Sequence, residues 1–456
     1  MNPDLAAALS GLVADPDRVL TNPQVVERLS RDFYWYSPIL RKQLDGKSAD
    51  LVVQVMSVDE VRDCLRYCFA NGVPVTARGS GTGNYGQAVP LHGGVVLDLS
   101  RFDAIEAIGS DGVAICQPGV RLAALETAAG NLGWELRCYP STVVKASLGG
   151  FLAGGSGGIG SVTHGGLRDF GTVQAIELIT MEDEPRLVKH EGDAVHEILH
   201  AWGTNGIITR IWFRLAPKVR WAQCAVAFDS FDTAYTFSER IAVSNEWMKR
   251  LVTTFEWPIP GFFSPIRSLV REGKALIFFM VALDQLDQLQ DAAKLAGGEI
   301  THAGAFEGFR ATPLLSDFTW NHTTLWAIRT DGAYTYLQCG FDPVGARTQF
   351  ARLKERFGDE ILFHIEFMKR GDGVVIPGAI PVVRFTTETK LNEMVDFCRQ
   401  IGVSVANPHV NNVEGGGRYR EDNVQLLAKQ RYDSRGLLNP GKMATFSPAF
   451  ASTKNL

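Results

Sequence analysis

What the chain lacks narrows it first. Across 456 residues no uninterrupted apolar stretch reaches the roughly 18 needed to span a bilayer. Positive charge is not in excess: 45 Lys and Arg stand against 50 Asp and Glu, which gives no reason to expect nucleic acid as a partner. Cysteine is sparse, seven residues with no C-x-x-C pair, so neither a disulfide framework nor a zinc ribbon is expected and reduced cytosolic thiols are. Cys64 and Cys68, four apart in a helix-like run, suit two packed thiols better than a metal site. The opening "MNPDLAAALSGLVADPDRVL" carries acidic residues where a secretory signal would be basic, which points to a cytoplasmic protein. There is no clear internal repeat and no low-complexity tract.

What is present divides into four textures, too many for one simple core. Residues 1–44 read as a helical lead-in, with an Asn-Pro helix start in "TNPQVVERLSRDFYW". Residues 45–217 are glycine-rich with short β-branched runs such as "ADLVVQVM", "PVTAR" and "GVVLDLS". Residues 218–405 alternate strand-like runs ("AVAFDSF", "KALIFFMVAL", "AYTYLQCGF") with amphipathic helices, the grammar of a sheet covered on one face. Residues 406–456 form a return segment of loop, helix and a Pro-Gly stop. The fold class expected is α+β.

The sharpest local signal is "VPVTARGSGTGNYGQAVP", in which Gly81, Gly83 and Gly86 spell G-x-G-x-x-G. A Rossmann unit would need a helix directly after these glycines. Pro90 and the pair Gly93-Gly94 leave no room for one. The alternative is a nest of converging backbone N–H groups that holds phosphate oxygens without a helix end. A second dense stretch, "YPSTVVKASLGGFLAGGSGGIGSVTHGGLRDFG", would be entropically wasteful as a linker. Together the two stretches imply an extended ligand with a phosphate end and a ring end.

This combination resembles the vanillyl-alcohol oxidase superfamily of flavoproteins, also called the FAD-binding PCMH type. "ARGSGTGNYGQAVP" is similar to that family's diphosphate loop, "SLGGFLAGGSGGIGSVTHGGLRDFGTVQAIELIT" to its flavin-wrapping segment, and "YDSRGLLNPGKM" to its terminal motif. The resemblance implies a two-subdomain FAD domain, a separate cap domain with an antiparallel sheet over the flavin ring, and FAD as cofactor. It assigns Arg78, Gly79, Ser80, Gly81, Thr82 and Gly83 to the diphosphate. Pro118, Gly119, Pro140, Ser141, Thr142, Ser147, Gly149 and Gly150 would line the cofactor, and Gly154, Gly157, Gly158, Ser161 and Ile207 would continue around it, with Asn439 and Lys442 nearby. Some members tether flavin to a histidine in the slot of Thr82, so that bond is unavailable and noncovalent FAD is preferred. Cys138 reads as a buried thiol rather than a tether, and a tether through His322 stays open.

The implied chemistry is oxidation of a small hydroxylated substrate, a 2-hydroxy acid or a phenolic or aryl alcohol, by hydride transfer to flavin N5. The substrate machinery is expected from the cap and the return segment. His409 is the candidate base, with Arg329, Arg418, Tyr419 and Asn411 orienting or stabilising charge; His322, Tyr334, Tyr336, His364, Glu366 and Glu414 are further candidates. Arg329 and Arg384, set among apolar strand-like residues, call for an anion to justify burial. Of the metal-binding pattern in hydroxy-acid members only His409 has a counterpart, and Glu414 is followed by "GGG", so no metal is expected. The partners expected are a small-molecule substrate and an electron acceptor (oxygen, a quinone or a carrier protein), with homo-oligomerisation open. An NAD(P)H-fed reductase and a catalytically silent flavin scaffold are the other readings.

Overall fold

The computed structural model describes residues 3–309, 313–416 and 423–446. Two sheets make up the first half. In the smaller, the strands run in the order Val19–Leu20, Leu51–Gln54, Val95–Asp98 and Val75–Arg78, the last three mutually parallel. The crossover is the helix Val58–Asn71, capped by the Ser57 hydroxyl at its start and stopped by Gly72 in the left-handed region, φ 66°. Its buried face is Val61, Cys64, Leu65 and Cys68, so the two thiols are core atoms. All seven cysteines are buried, and none is in a disulfide. The lead-in is not purely helical: Val19–Leu20 adds an antiparallel edge to this sheet.

The second sheet is antiparallel and is centred on the long strand Ile207–Pro217, which pairs with Val113–Cys116, Trp134–Leu136 and Val173–Ile179. The loops that leave these two sheets carry both glycine-rich stretches, so strand ends on either side aim them at one another.

Beyond residue 220 the chain builds an eight-stranded, wholly antiparallel sheet, Trp221–Phe228 to Ser404–Ala406. Its strands obey the period of two. Cys224, Val226, Phe228, Ile277 and Phe279 pack under the helices Phe231–Val243 and Ala346–Phe357. The alternate residues Ala225, Ala227, Phe255, Leu276 and Phe278 share a core with Leu136, Tyr139 and Phe213 of the first half. Helices thus cover one face, as the alternation of elements suggests, and the first half of the chain covers the other.

Arg250 fastens that contact. It is 3% exposed, its guanidinium lies 2.8 Å from Glu126 and 3.7 Å from Glu135, donates to the Leu136 carbonyl, and sits over the Tyr139 ring. A cation this buried needs partners on several sides, because an uncompensated one costs several kcal/mol, about 3–5. The return segment closes the opposite edge: Val75 N–H donates to the Leu437 carbonyl and Asn439 N–H to the Val75 carbonyl. Lys429, fully enclosed, binds the Asp433 carboxylate and the Leu438 carbonyl from behind. Asp433→Ala would strand that ammonium, so a loss of about 3–5 kcal/mol in urea-unfolding stability is expected, with Lys429→Met/Asp433→Leu losing less than Asp433→Ala alone.

Candidate active site

The two glycine stretches and the cap enclose one cavity of about 910 Å³. The first stretch follows the strand Val75–Arg78. Gly81 takes φ 65°, and the N–H groups of Gly81, Thr82 and Gly83 have no partner among the described residues, so they are available to a ligand. Side chains that would crowd this main chain are folded beneath it. The Arg78 guanidinium lies under Gly81 and donates to the Arg31 carbonyl at 2.6 Å; Gln87 lies under Gly83 and donates to the Gly154 carbonyl at 3.1 Å. Arg121 binds the Ser80 hydroxyl and the Lys145 carbonyl. At Gly79 the neighbour is the Ser147 hydroxyl, which accepts from Ser80 N–H. A Cβ at Gly79, Gly81 or Gly83 would collide with these groups.

Arg78, Gly79, Ser80, Gly81, Thr82, Gly83, Pro118, Pro140, Ser141, Thr142, Ser147, Gly149, Gly150, Gly154 and Gly157 all line the cavity. Five expected cofactor residues stand behind it instead. Gly119 is pinned against the carbonyls of Leu99 and Phe102, and Gly158 against that of Tyr139, whose neighbours pair with it. Ser161 turns its hydroxyl to Gly158 N–H at 2.9 Å. Ile207 is core, flanked by the lining residues Gly206 and Ile208. Asn439 buttresses the wall by donating to the carbonyls of Gln87 and Trp202. Cys138, also behind the wall, is a fully buried thiol that burial pushes up to about 12. Lys442 is enclosed near the loop, where burial pushes it down to about 8, and Asp32 opposite it is pushed up to about 6.

The cap contributes Trp320, Asn321, His322, Leu325, Arg329, Gln338 and Ile380, and the lead-in contributes Asp32, Phe33 and Tyr36. "NHTTLWAIRT", read as lying on or near a strand, is the helix Asn321–Thr330. His322, Leu325 and Arg329 are spaced i, i+3, i+7, so one face of that helix meets the cavity. Burial pushes the His322 imidazole down to about 4, with the Arg329 charge adding to the effect. Arg329 is exposed at the mouth and forms no ion pair among the described residues, and Arg384 is an exposed strand end 3.1 Å from Asp331; neither arginine is buried as the sequence suggested. Tyr36 meets Tyr336 edge-on at 6.1 Å. The aromatic run "DFYWY" was the available signal for Phe33 and Tyr36.

The expected base is misplaced. His409 is 3% exposed and does not line the cavity. Its Nε2 lies 2.8 Å from the Tyr336 carbonyl, which can only accept, so that nitrogen carries the proton; Nδ1 then accepts from the Ser37 hydroxyl at 2.7 Å. No lone pair remains for a substrate. Asn411 is likewise away from the cavity wall. Arg418 and Tyr419 lie outside the described residues. Glu414 accepts from Ala444 and Thr445. Among the described residues no three His, Cys, Asp or Glu side chains gather as a metal group, and no helix is long and apolar enough to cross a membrane.

Two outcomes are expected. Gly81→Ala, strained at φ 65° and driven into Arg78, should cut the flavin content of purified protein at least about tenfold by visible absorbance. Gly133→Ala, also at positive φ but with nothing within 4 Å, should leave flavin content unchanged. His409 takes a proton near pH 6.5 when unfolded but only near 4 when folded. The unfolded chain therefore binds the extra proton in that window, and stability falls as pH drops from about 6.5 to 4, by up to about 3 kcal/mol. His409→Gln should flatten that slope in thermal melts.

The FAD binding domain family matches residues 49–184. The chain is 27% identical over 277 residues to a D-lactate dehydrogenase of Archaeoglobus fulgidus, covering 58% of this chain and 59% of that one. It is 31% identical over 209 residues to the glycolate oxidase subunit GlcD of Escherichia coli strain K12, covering 43% and 42%. A D-lactate dehydrogenase of Anaerostipes hadrus is 27% identical over 94% of this chain and 95% of its own. The chain thus spans 59% and 42% of the first two relatives' own lengths. The solved structure of an alkyldihydroxyacetonephosphate synthase has the same fold, with a TM-score of 0.72 over 96% of this chain and 86% of that one at 16% identity. Residues 49–184 are thus an FAD-binding domain, and FAD is the cofactor that goes with it.

Proposed function

We propose that the protein is an FAD-dependent oxidoreductase that oxidises a 2-hydroxy acid with an apolar side chain. The observation that carries this reading is the two-sided cavity. One wall is main chain from the two glycine stretches; the other holds a cation and a neutral imidazole set among aromatic and aliphatic side chains. Gly79–Gly83 would hold the FAD diphosphate and the other residues of the first wall the rest of the cofactor, which would supply the hydride acceptor. The relatives named for D-lactate and glycolate favour a hydroxy acid over an aryl alcohol.

The chain's own residues do the rest. Arg329 pairs with the substrate carboxylate at the mouth. His322, kept neutral because its surroundings penalise the charged form, takes the hydroxyl proton as the carbon is oxidised. Phe33, Tyr36, Leu325 and Ile380 line the same region and would be left against water by a two-carbon acid, so a larger side chain binds better, by roughly 10- to 200-fold per methylene-sized contact at most.

Anaerobic bleaching of the flavin by glycolate, lactate of both hands and phenyllactate tests this. Phenyllactate is expected to be fastest at low concentration. Arg329→Met should raise KM about tenfold or more, and His322→Asn should lower the rate of flavin reduction by about 10²–10⁴. Because His322 titrates near 4, the reduction rate should be level above about pH 5 and fall below it. Bleaching by NADPH alone would favour a reductase, and bleaching by none of these a silent scaffold.

A further inference from the structure

Of the five non-glycine residues with positive φ among the described residues, three line the cavity: His200, Trp202 and Trp320. Backbone held in sparsely populated regions persists only where its surroundings over-determine it, and such residues cluster at working sites. Trp320, at φ 52° and ψ −138°, is the most informative because it immediately precedes the helix Asn321–Thr330 and is followed two residues later by His322.

What holds Trp320 lies outside the cavity. Its N–H donates to Glu366 Oε1 at 2.8 Å. The same oxygen is 2.9 Å from His364 Nε2, and Glu366 Oε2 accepts from the Thr253 hydroxyl at 2.6 Å. The His364 ring stacks on Phe255 with centroids 5.0 Å apart, and Thr323, in the first turn of the helix, reaches His364 Nε2 at 3.4 Å. Glu366 is 2% exposed and His364 and Thr253 are fully buried. A buried polar group of this kind is weak support for stability, since apolar residues of similar volume often replace it without loss. What the carboxylate provides is direction: it fixes a donor whose placement needs a backbone conformation that a tryptophan does not adopt unaided.

We infer that Glu366 is a positioning residue for the active site, holding Trp320 in the left-handed region and thereby aiming Asn321 and His322 into the cavity. This rests on the proposed role of His322. His322 is two residues from the held amide, whereas Arg329 lies at the far end of the helix, roughly 13 Å along its axis. Loss of the hold therefore acts on proton removal more than on carboxylate binding.

A double-mutant cycle tests it. Glycine adopts φ 52° without help and alanine does not, so Trp320→Gly and Trp320→Ala both delete the indole but differ in their need for the carboxylate. In the Trp320→Ala background, Glu366→Ala should lower the rate of anaerobic flavin reduction at least tenfold with KM changed less than threefold; in the Trp320→Gly background the same change should cost less than twofold. Glu366→Gln, which still presents an acceptor oxygen, should stay within threefold of wild type. Where Glu366→Ala does not fold, Glu366→Leu fills the volume without an acceptor. Amide hydrogen exchange in residues 318–324 reads the hold without any substrate, and should quicken at least tenfold in Trp320→Ala/Glu366→Ala but not in Trp320→Gly/Glu366→Ala. Equal losses in both backgrounds, by rate and by exchange, overturn the inference. The expected exchange pattern in a protein that no hydroxy acid reduces leaves the hold standing and overturns the proposed function instead.

Discussion

The main chain of two distant glycine stretches has to come close together. The Ser147 hydroxyl and the Gly150 main chain lie against Gly79, and Pro118 against Gly149, at positions where a single added carbon has nowhere to go. Everything else serves that approach. Arg78 and Gln87 pack against the loop, so it is stiffened while its N–H groups stay available. The strands Val75–Arg78 and Val173–Ile179 come from different sheets, so the geometry of the cradle depends on how those sheets pack rather than on either loop alone.

The cap supplies side chains where the first half supplies backbone. The central strands of its sheet have no face left for water: one is under helices, the other under the first half, with Arg250 charge-compensated at the seam. Into this dry layer are set the Glu366–His364 pair and, above it, a helix that carries both the neutral imidazole and the cation of the proposed chemistry. Charge that would repel substrate is sparse on this wall: Asp317 lies exposed at its edge, and Asp32 is shared with Lys442.

The cradle was legible in the sequence because glycine reports a local necessity. A loop that must show its backbone cannot carry Cβ atoms, and that shortage is visible without knowing what lies opposite. Hence Arg78 to Gly83 and most of residues 140–157 line the cavity. Gly119, Gly158 and Ser161 do not, because a glycine squeezed by a neighbouring carbonyl looks the same in sequence as one squeezed by a ligand. The catalytic set was far less legible. His409 has motif-like neighbours, but its fate is decided by Ser37 and Tyr336, remote in the chain. "NHTTLWAIRT" is rich in β-branched and aromatic residues and invites a strand; packing of Thr323, Thr324 and Ala327 into the core makes it a helix and so changes which side chains share a face. Tyr36 reaches the cavity from the lead-in, a route that no spacing rule connects to the cap.

The strand that launches the glycine loop is an edge strand, and the chain that pairs with it, Leu437 to Asn439, comes from a segment remote in sequence. Until that segment docks, Val75 is an open edge and the far wall of the cradle lacks the Asn439 amide that braces it, so the rigidity of the nucleotide cradle depends on residues that never touch its glycines.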